Sequence, residues 1–191
     1  MLDKKYLSEI RQDLLSYSQK RREVIKTSGD AQYLAKKGIF ALQRDDKKAA
    51  DEVLTQAEKL LIDLNKKYKG DADLFNEGSY RASLEEYSEA FIFRQYLLGK
   101  AIGKIKGLVI DSDIFIGGLC DVPGELLRYA IKSATERRFD EVKKCHKAAE
   151  EIIVELVDMD LTGYNRQKFD QAKQALNKLE QVVYEVSLKN S

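Results

Sequence analysis

The sequence predicts an all-α protein, a bundle of six to seven helices forming a single domain over residues 1–191, and three observations predict it. Thirty-four per cent of the residues are charged, proline occurs once, and Ala, Leu, Glu, Lys and Gln dominate, which is the composition of long helices. Apolar residues recur at steps of three and four, with no run of strict alternation that would suggest strands. The length of 191 residues at 43% hydrophobic content suffices for one well-buried core and is short for two.

From Leu2 to about Lys26, Leu7, Ile10, Leu14, Val24 and Ile25 mark a helical stripe on a strongly charged rod, with Gly29-Asp30 as an expected interruption. The pattern resumes through Tyr33, Leu34, Ile39, Phe40 and Leu42. It pauses at Asp45-Asp46 before a helix from about Lys47 to Tyr68 that carries Val53, Leu54, Leu60, Leu61 and Leu64. Gly70-Asp71-Ala72-Asp73 is a break. A longer helix is expected from near Glu77 to about Lys106, and Val109–Asp113 reads as a loop offering aspartate or serine as the next N-cap. The last two helices have the clearest patterns: Val142, Cys145, Ala149, Ile152 and Leu156, then Phe169, Ala172, Leu176, Leu179, Val183 and Val186, both close to a heptad seam. Short joints near Arg138-Phe139 and Thr162-Gly163 imply antiparallel neighbours. No internal repeat is visible, so a solenoid is not indicated.

Thirty-three basic residues balance 32 acidic ones, so a polyanion would have to be held by a local patch. Cys120 and Cys145 fall within apolar helical patterns and read as free core thiols of a reducing compartment. Met1-Leu2-Asp3-Lys4-Lys5 opens no apolar leader, and the most apolar stretch, Ile105 to Ile131, is interrupted by Asp111, Asp113, Asp121, Glu125 and Arg128. The expectation is a soluble, cytoplasmic protein without a membrane partner.

The informative anomaly is a set of carboxylates in apolar surroundings. Glu86 and Glu89 are one helical turn apart and share a face with Ala90 and Phe93, and Glu89 opens the run Ala90-Phe91-Ile92-Phe93. In Ile114–Leu127 the only charges are Asp121 and Glu125, spaced i,i+4 on one face. An ionised side chain in such a run is costly unless paired or bound to a cation. If the two pairs face each other, repulsion raises their pKa values or recruits a hard divalent ion, and oxygen-only ligation favours magnesium or manganese. Such an ion orients a water and polarises a phosphodiester, which points to phosphodiester hydrolysis. The same residues admit a purely structural reading. Glu86 would pair with Arg81 or Lys100 at a helix edge, and Asp121 would be the N-cap of a helix starting at Val122 with Pro123 in its first turn.

Other chemistries fit less well. His146 is the only histidine and lies on a helix rich in lysine and glutamate, which suits a surface or core-edge role. A ferritin-like di-iron site needs two Glu-x-x-His motifs, whereas Glu86-Tyr87-Ser88-Glu89 has glutamate in the histidine position. Gly117-Gly118 lacks the preceding strand and following lysine of a phosphate loop, and reads as close helix packing.

Gly118-Leu119-Cys120-Asp121-Val122-Pro123-Gly124-Glu125-Leu126-Leu127-Arg128 resembles the conserved helix of the translin/Trax family. Leu84-Glu85-Glu86-Tyr87-Ser88-Glu89-Ala90 is similar to the Trax version of its companion, and Lys178–Lys189 to the family's final helix. These matches span most of Arg81 to Lys189. The N-terminal third shows a weaker match, chiefly at Lys36–Arg44. The resemblance is to the Trax-like, C3PO-type catalytic subunit, because translin itself lacks the glutamates at positions matching Glu86 and Glu89.

The resemblance implies a translin-like seven-helix subunit assembling into an octameric shell whose interior holds RNA, as a homo-octamer or with a translin-like partner. It assigns Glu86, Glu89, Asp121 and Glu125 to the acidic site. The expected activity is a magnesium-dependent endoribonuclease for single-stranded RNA, with Mg2+ (or Mn2+) on Glu86, Glu89 and Asp121 and with Glu125 as ligand or proton acceptor. Lys20, Arg21, Arg22 and Arg81 match the family's basic positions and are candidate nucleic-acid contacts. Lys36, Lys37, Arg137 and Arg138 read as solvated surface. Pro123 departs from the family pattern and removes a backbone donor beside Asp121. The alternative is a non-catalytic scaffold for single-stranded RNA or DNA.

Overall fold

A computed structural model describes residues 2–188; Met1, Lys189 and the last two residues lie outside the described set. Among the described residues there are seven helices and no strands: α1 (Lys4–Gln43), α2 (Lys47–Lys67), α3 (Ala72–Phe75), α4 (Gly78–Leu97), α5 (Ser112–Thr135), α6 (Phe139–Val157) and α7 (Gly163–Leu188). The all-α expectation holds. Helices α4 and α5 form the spine. On one side α1 packs against α2 and α4, and on the other α6 and α7 pack against α5 and each other.

Sequence explains the boundaries. Asp3 caps α1 by accepting from the Lys5 and Tyr6 amides, Asp46 caps α2 by accepting from Ala49 N, and Asp71 caps α3 by accepting from Leu74 N. Between α1 and α2, Asp45 adopts a left-handed φ of 61°, and its carboxylate is tied down by Tyr129, Lys132 and Arg138. The heptad-like stripes of α6 and α7 bury Val142, Cys145, Ala149, Ile152, Leu156, Phe169, Ala172, Leu179 and Val186. Phe93 at the centre is completely buried, worth roughly 2–3 kcal/mol in apolar transfer.

Three boundaries differ from the sequence expectation. Gly29-Asp30 does not interrupt the first helix: α1 runs through it for 40 residues, because Ser28, Ala31, Ala35 and Gly38 keep one small-residue face buried on either side of the glycine. The helix expected to reach Lys106 stops at Leu97. Gly99 takes φ 64°, its amide bonds Tyr96 O, and Lys100 N bonds Gln95 O, closing the C-terminus in the left-handed cap that glycine favours. Ile105 and Leu108 are nonetheless buried, from an irregular segment. Finally, α5 begins at Ser112, so Asp121 is not an N-cap. It lies mid-helix, and the buried Pro123 sits inside an α5 that continues past it.

No helix among the described residues is long and apolar enough to cross a membrane. The amino-terminal part of α1 stands away from the core: Leu7, Ile10 and Leu14 are exposed, as are Tyr164, Tyr184 and Leu188 of α7.

Candidate acidic site at the α4–α5 crossing

Gly118 sets the geometry. A Cβ at this position would lie 2.8 Å from the Glu85 carbonyl oxygen, 2.8 Å from Ser88 Cβ and 2.9 Å from Glu89 N, so only glycine lets α5 approach the α4 backbone this closely. The close-packing role expected of Gly117-Gly118 is what the structure shows. At this crossing, Glu86 and Glu89 of α4 come to the same region as Asp121 and Glu125 of α5, close enough for their charges to interact.

Glu89 is the buried member, at 9% exposure, and no donor among the described residues hydrogen-bonds its carboxyl. Burial pushes its pKa up to about 9, and the charges of Asp121, Glu125 and Glu86 add to the rise against a smaller opposing pull from Lys168. Glu86 is half-buried. Burial also raises its pKa, opposed by the Lys36 ammonium 3.5 Å away and by Gln32. The Glu86 partner expected from sequence, Arg81 or Lys100, is replaced by Lys36 because α1 lies alongside α4.

Asp121 and Glu125 have partners that sequence reasoning did not identify. Lys168 of α7, 8% exposed, donates to Asp121, to Glu85 Oε1 at 2.6 Å and to Gly117 O at 3.2 Å, while the Tyr164 hydroxyl donates to Glu85 Oε1 at 2.9 Å. Burial alone would lower the Lys168 pKa, but its two carboxylate partners raise it above the ordinary lysine range. The Asp121 pKa is raised all the same, since desolvation of its carboxyl outweighs the attraction of the ammonium. Glu125 accepts from Gln43 Nε2 at 2.7 Å and from Arg128 Nη1 at 3.0 Å, and the same Gln43 amide donates to the Glu125 backbone oxygen at 2.9 Å. Lys168 did leave one sequence signal: it stands four residues before Ala172, on the stripe that α7 buries.

The four carboxylates therefore share one region while three of them hold separate partners. No group of three or more His, Cys, Asp or Glu side chains among the described residues is arranged to hold a metal ion. A cavity of about 1180 Å³ opens elsewhere, between residues 98–103, α5 and α6, and none of the four carboxylates lines it.

Of the candidate nucleic-acid contacts, Lys20, Arg21 and Arg22 are exposed on α1. Arg21 pairs with Glu77 at 2.7 Å, and Arg81 pairs with Asp111 at 3.3 Å. Because Glu77 caps α4 and its carbonyl accepts from Arg81 N, both arginines meet at the N-terminal end of α4. Glu86 and Glu89 follow roughly 8 to 12 Å further along the same helix. Lys20 and Arg22 make no ion pair among the described residues.

The chain superposes on the crystal structure of apo-NeC3PO with a TM-score of 0.87 at 22% identity, covering 97% of this chain and 98% of that one. It superposes on AfC3PO at 0.86 and 21% identity, covering 96% and 98%, and on AfC3PO in complex with duplex RNA at 0.84 and 21%, covering 96% and 97%. At these identities the likeness establishes the fold. No curated protein sequence matched the chain. The Translin family model matches residues 19–190, which include both acidic helices and most of the described fold, and the chain belongs to the Translin family.

Proposed function

We propose that this chain is a Trax-like, catalytic Translin-family subunit: a divalent-metal-dependent endoribonuclease acting on single-stranded RNA in the cytoplasm, within a self-assembled octamer or beside a translin-like partner. One observation carries the reading. Glu89 keeps a buried carboxyl with no hydrogen-bond donor among three other carboxylates, an arrangement that costs stability and that a bound cation would relieve. The all-oxygen donor set fits magnesium or manganese. Glu86, Glu89 and Asp121 would hold the ion, and when bound it would supply electrostatic stabilisation to a phosphodiester undergoing hydrolysis.

The chain's own residues perform the remaining work. Gly118 holds the two acidic helices in register. Glu125, held by Gln43 and Arg128, would act as a ligand or accept a proton from an attacking water. Arg21 and Arg81, at the end of α4, would draw phosphates toward the carboxylates, with Lys20 and Arg22 extending the basic track. The fold shared with an AfC3PO that is complexed with duplex RNA supports RNA as the ligand class. The exposed Tyr164, Tyr184 and Leu188 support self-association.

A specific observation favours a second reading, a non-catalytic scaffold binding single-stranded RNA or DNA. Lys168 already neutralises Asp121 and Glu85, so part of the acidic charge is spent on a structural bridge. The two readings separate on incubating the purified protein with single-stranded RNA. Cleavage in magnesium that stops in chelator supports the nuclease, whereas binding without cleavage in either condition overturns it. A native mass measurement of that sample tests the octamer, which a monodisperse monomer would exclude.

A further inference from the structure

Two exposed aromatic rings lie beside the acidic site on α1. Tyr33 is 63% exposed and Phe40 is 54% exposed, seven residues apart and so on one face of the helix. Each carries a cation: Lys37 Nζ lies 5.6 Å from the Tyr33 ring centre, and the Arg128 guanidinium lies 5.3 Å from that of Phe40. The acidic residues lie alongside: Lys36 of α1 pairs with Glu86 at 3.5 Å, and Arg128 of α5, the cation on the Phe40 ring, pairs with Glu125 at 3.0 Å. The platform is therefore joined through Arg128 to Glu125, and Lys36, on the same stretch of α1, reaches Glu86.

We propose that Tyr33 and Phe40 are a stacking platform for unpaired bases of a single-stranded nucleic acid, resting on the RNA-binding reading above. Solvent-exposed rings interleaved with lysine and arginine are the arrangement that binds single strands, because every base offers a π-face to the ring while the cations meet the phosphates. The rings are separated by roughly 10 Å along the helix, about the rise of three stacked nucleotides. Bases seated on Tyr33 and Phe40 would carry the backbone past Lys36 and Arg128 toward Glu86 and Glu125. A duplex, whose bases are already stacked on each other, gains nothing from the platform. The surface thus confers a preference for single strands.

The test uses full-length protein in chelator, a single-stranded RNA oligonucleotide containing 2-aminopurine, and the variants Tyr33→Leu and Phe40→Leu, which keep an apolar side chain and remove the ring. Wild-type protein should change the 2-aminopurine fluorescence on binding. Each variant should lose about fivefold or more in affinity and most of that spectral change, with the slope of log affinity against log salt unaltered because no phosphate contact is lost. If wild-type protein binds and the variants match it in affinity and fluorescence, the platform is refuted while RNA binding stands. If wild-type protein binds no single strand, the RNA reading itself fails. If either variant changes the native mass, the face is a contact with a second copy, and the platform is overturned.

Discussion

Lys168 on α7 hydrogen-bonds Asp121 on α5, and through this contact the C-terminal helix reaches the acidic crossing. The same ammonium bonds Glu85 on α4, so a single lysine links three helices. Removing it leaves the Asp121 carboxylate without a partner, while Glu85 keeps only the Tyr164 hydroxyl, a change that costs about 3 kcal/mol in buried pairs. Lys168→Met is expected to lower unfolding stability by that order at pH 7 in denaturant titrations. The loss should shrink as pH falls, because Asp121, whose pKa burial already raises, takes up a proton, and Lys168→Arg should recover only part of it.

Glu89 gives the protein a pH dependence of definite sign. Its folded-state pKa is raised to about 9, above the 4.5 of a free glutamate, so the folded chain binds a proton that the unfolded chain releases between those values. The stability this contributes is complete below about pH 4.5 and is lost as pH rises toward 9, with a slope of at most about 1.4 kcal/mol per pH unit. Comparing wild type with Glu89→Gln in chelator from pH 5 to pH 9 isolates the effect. The variant should be the more stable of the two at pH 8, with a flatter pH profile.

Gly118 and Gly124 form a matched pair within α5. Gly118→Ala drives a methyl group into the α4 backbone, and the resulting separation should cost about 1–3 kcal/mol and weaken the coupling between Glu89 and Asp121. Nothing lies within 4 Å of a Cβ at Gly124. Gly124→Ala should therefore be neutral or stabilising by up to about 1 kcal/mol through helix propensity alone. Equal effects in chemical denaturation would contradict the close crossing.

The parts of this site that were legible in the sequence are those with a local signature. Glu89 is conspicuous because it opens an apolar run, and Asp121 and Glu125 because they are i,i+4 charges in another. Gly117-Gly118 is legible as a packing motif, and the stripes of α6 and α7 because their period is regular over four turns. The partners were not legible, since they come from distant sequence. Gln43 reaches Glu125 across 82 residues with no local signal, and Lys168 reaches Asp121 across 47 with no signal beyond its place on the buried stripe of α7. Gly29 and Gly99 show the limit of reading glycine as punctuation. Gly29 sits in a helix whose neighbouring turns bury Ser28, Ala31 and Ala35, which hold it in place, whereas Gly99 adopts the left-handed conformation and ends its helix. Tertiary packing separates the two cases.

The nuclease assignment is tested most directly by the rate at which assembled Glu89→Gln protein cleaves single-stranded RNA in magnesium, measured with RNA affinity in chelator. The substitution removes the ionisable carboxyl that a metal ion would need and keeps the side-chain volume, so fold and assembly should survive. The expected result is a fall in turnover of about two or more powers of ten, with RNA affinity in chelator unchanged at neutral pH, because the Glu89 carboxyl, its pKa raised to about 9, is already protonated there. Cleavage at the wild-type rate by the assembled variant would contradict a metal-binding role for Glu89 and leave a Translin-family scaffold that binds its nucleic acid without cutting it.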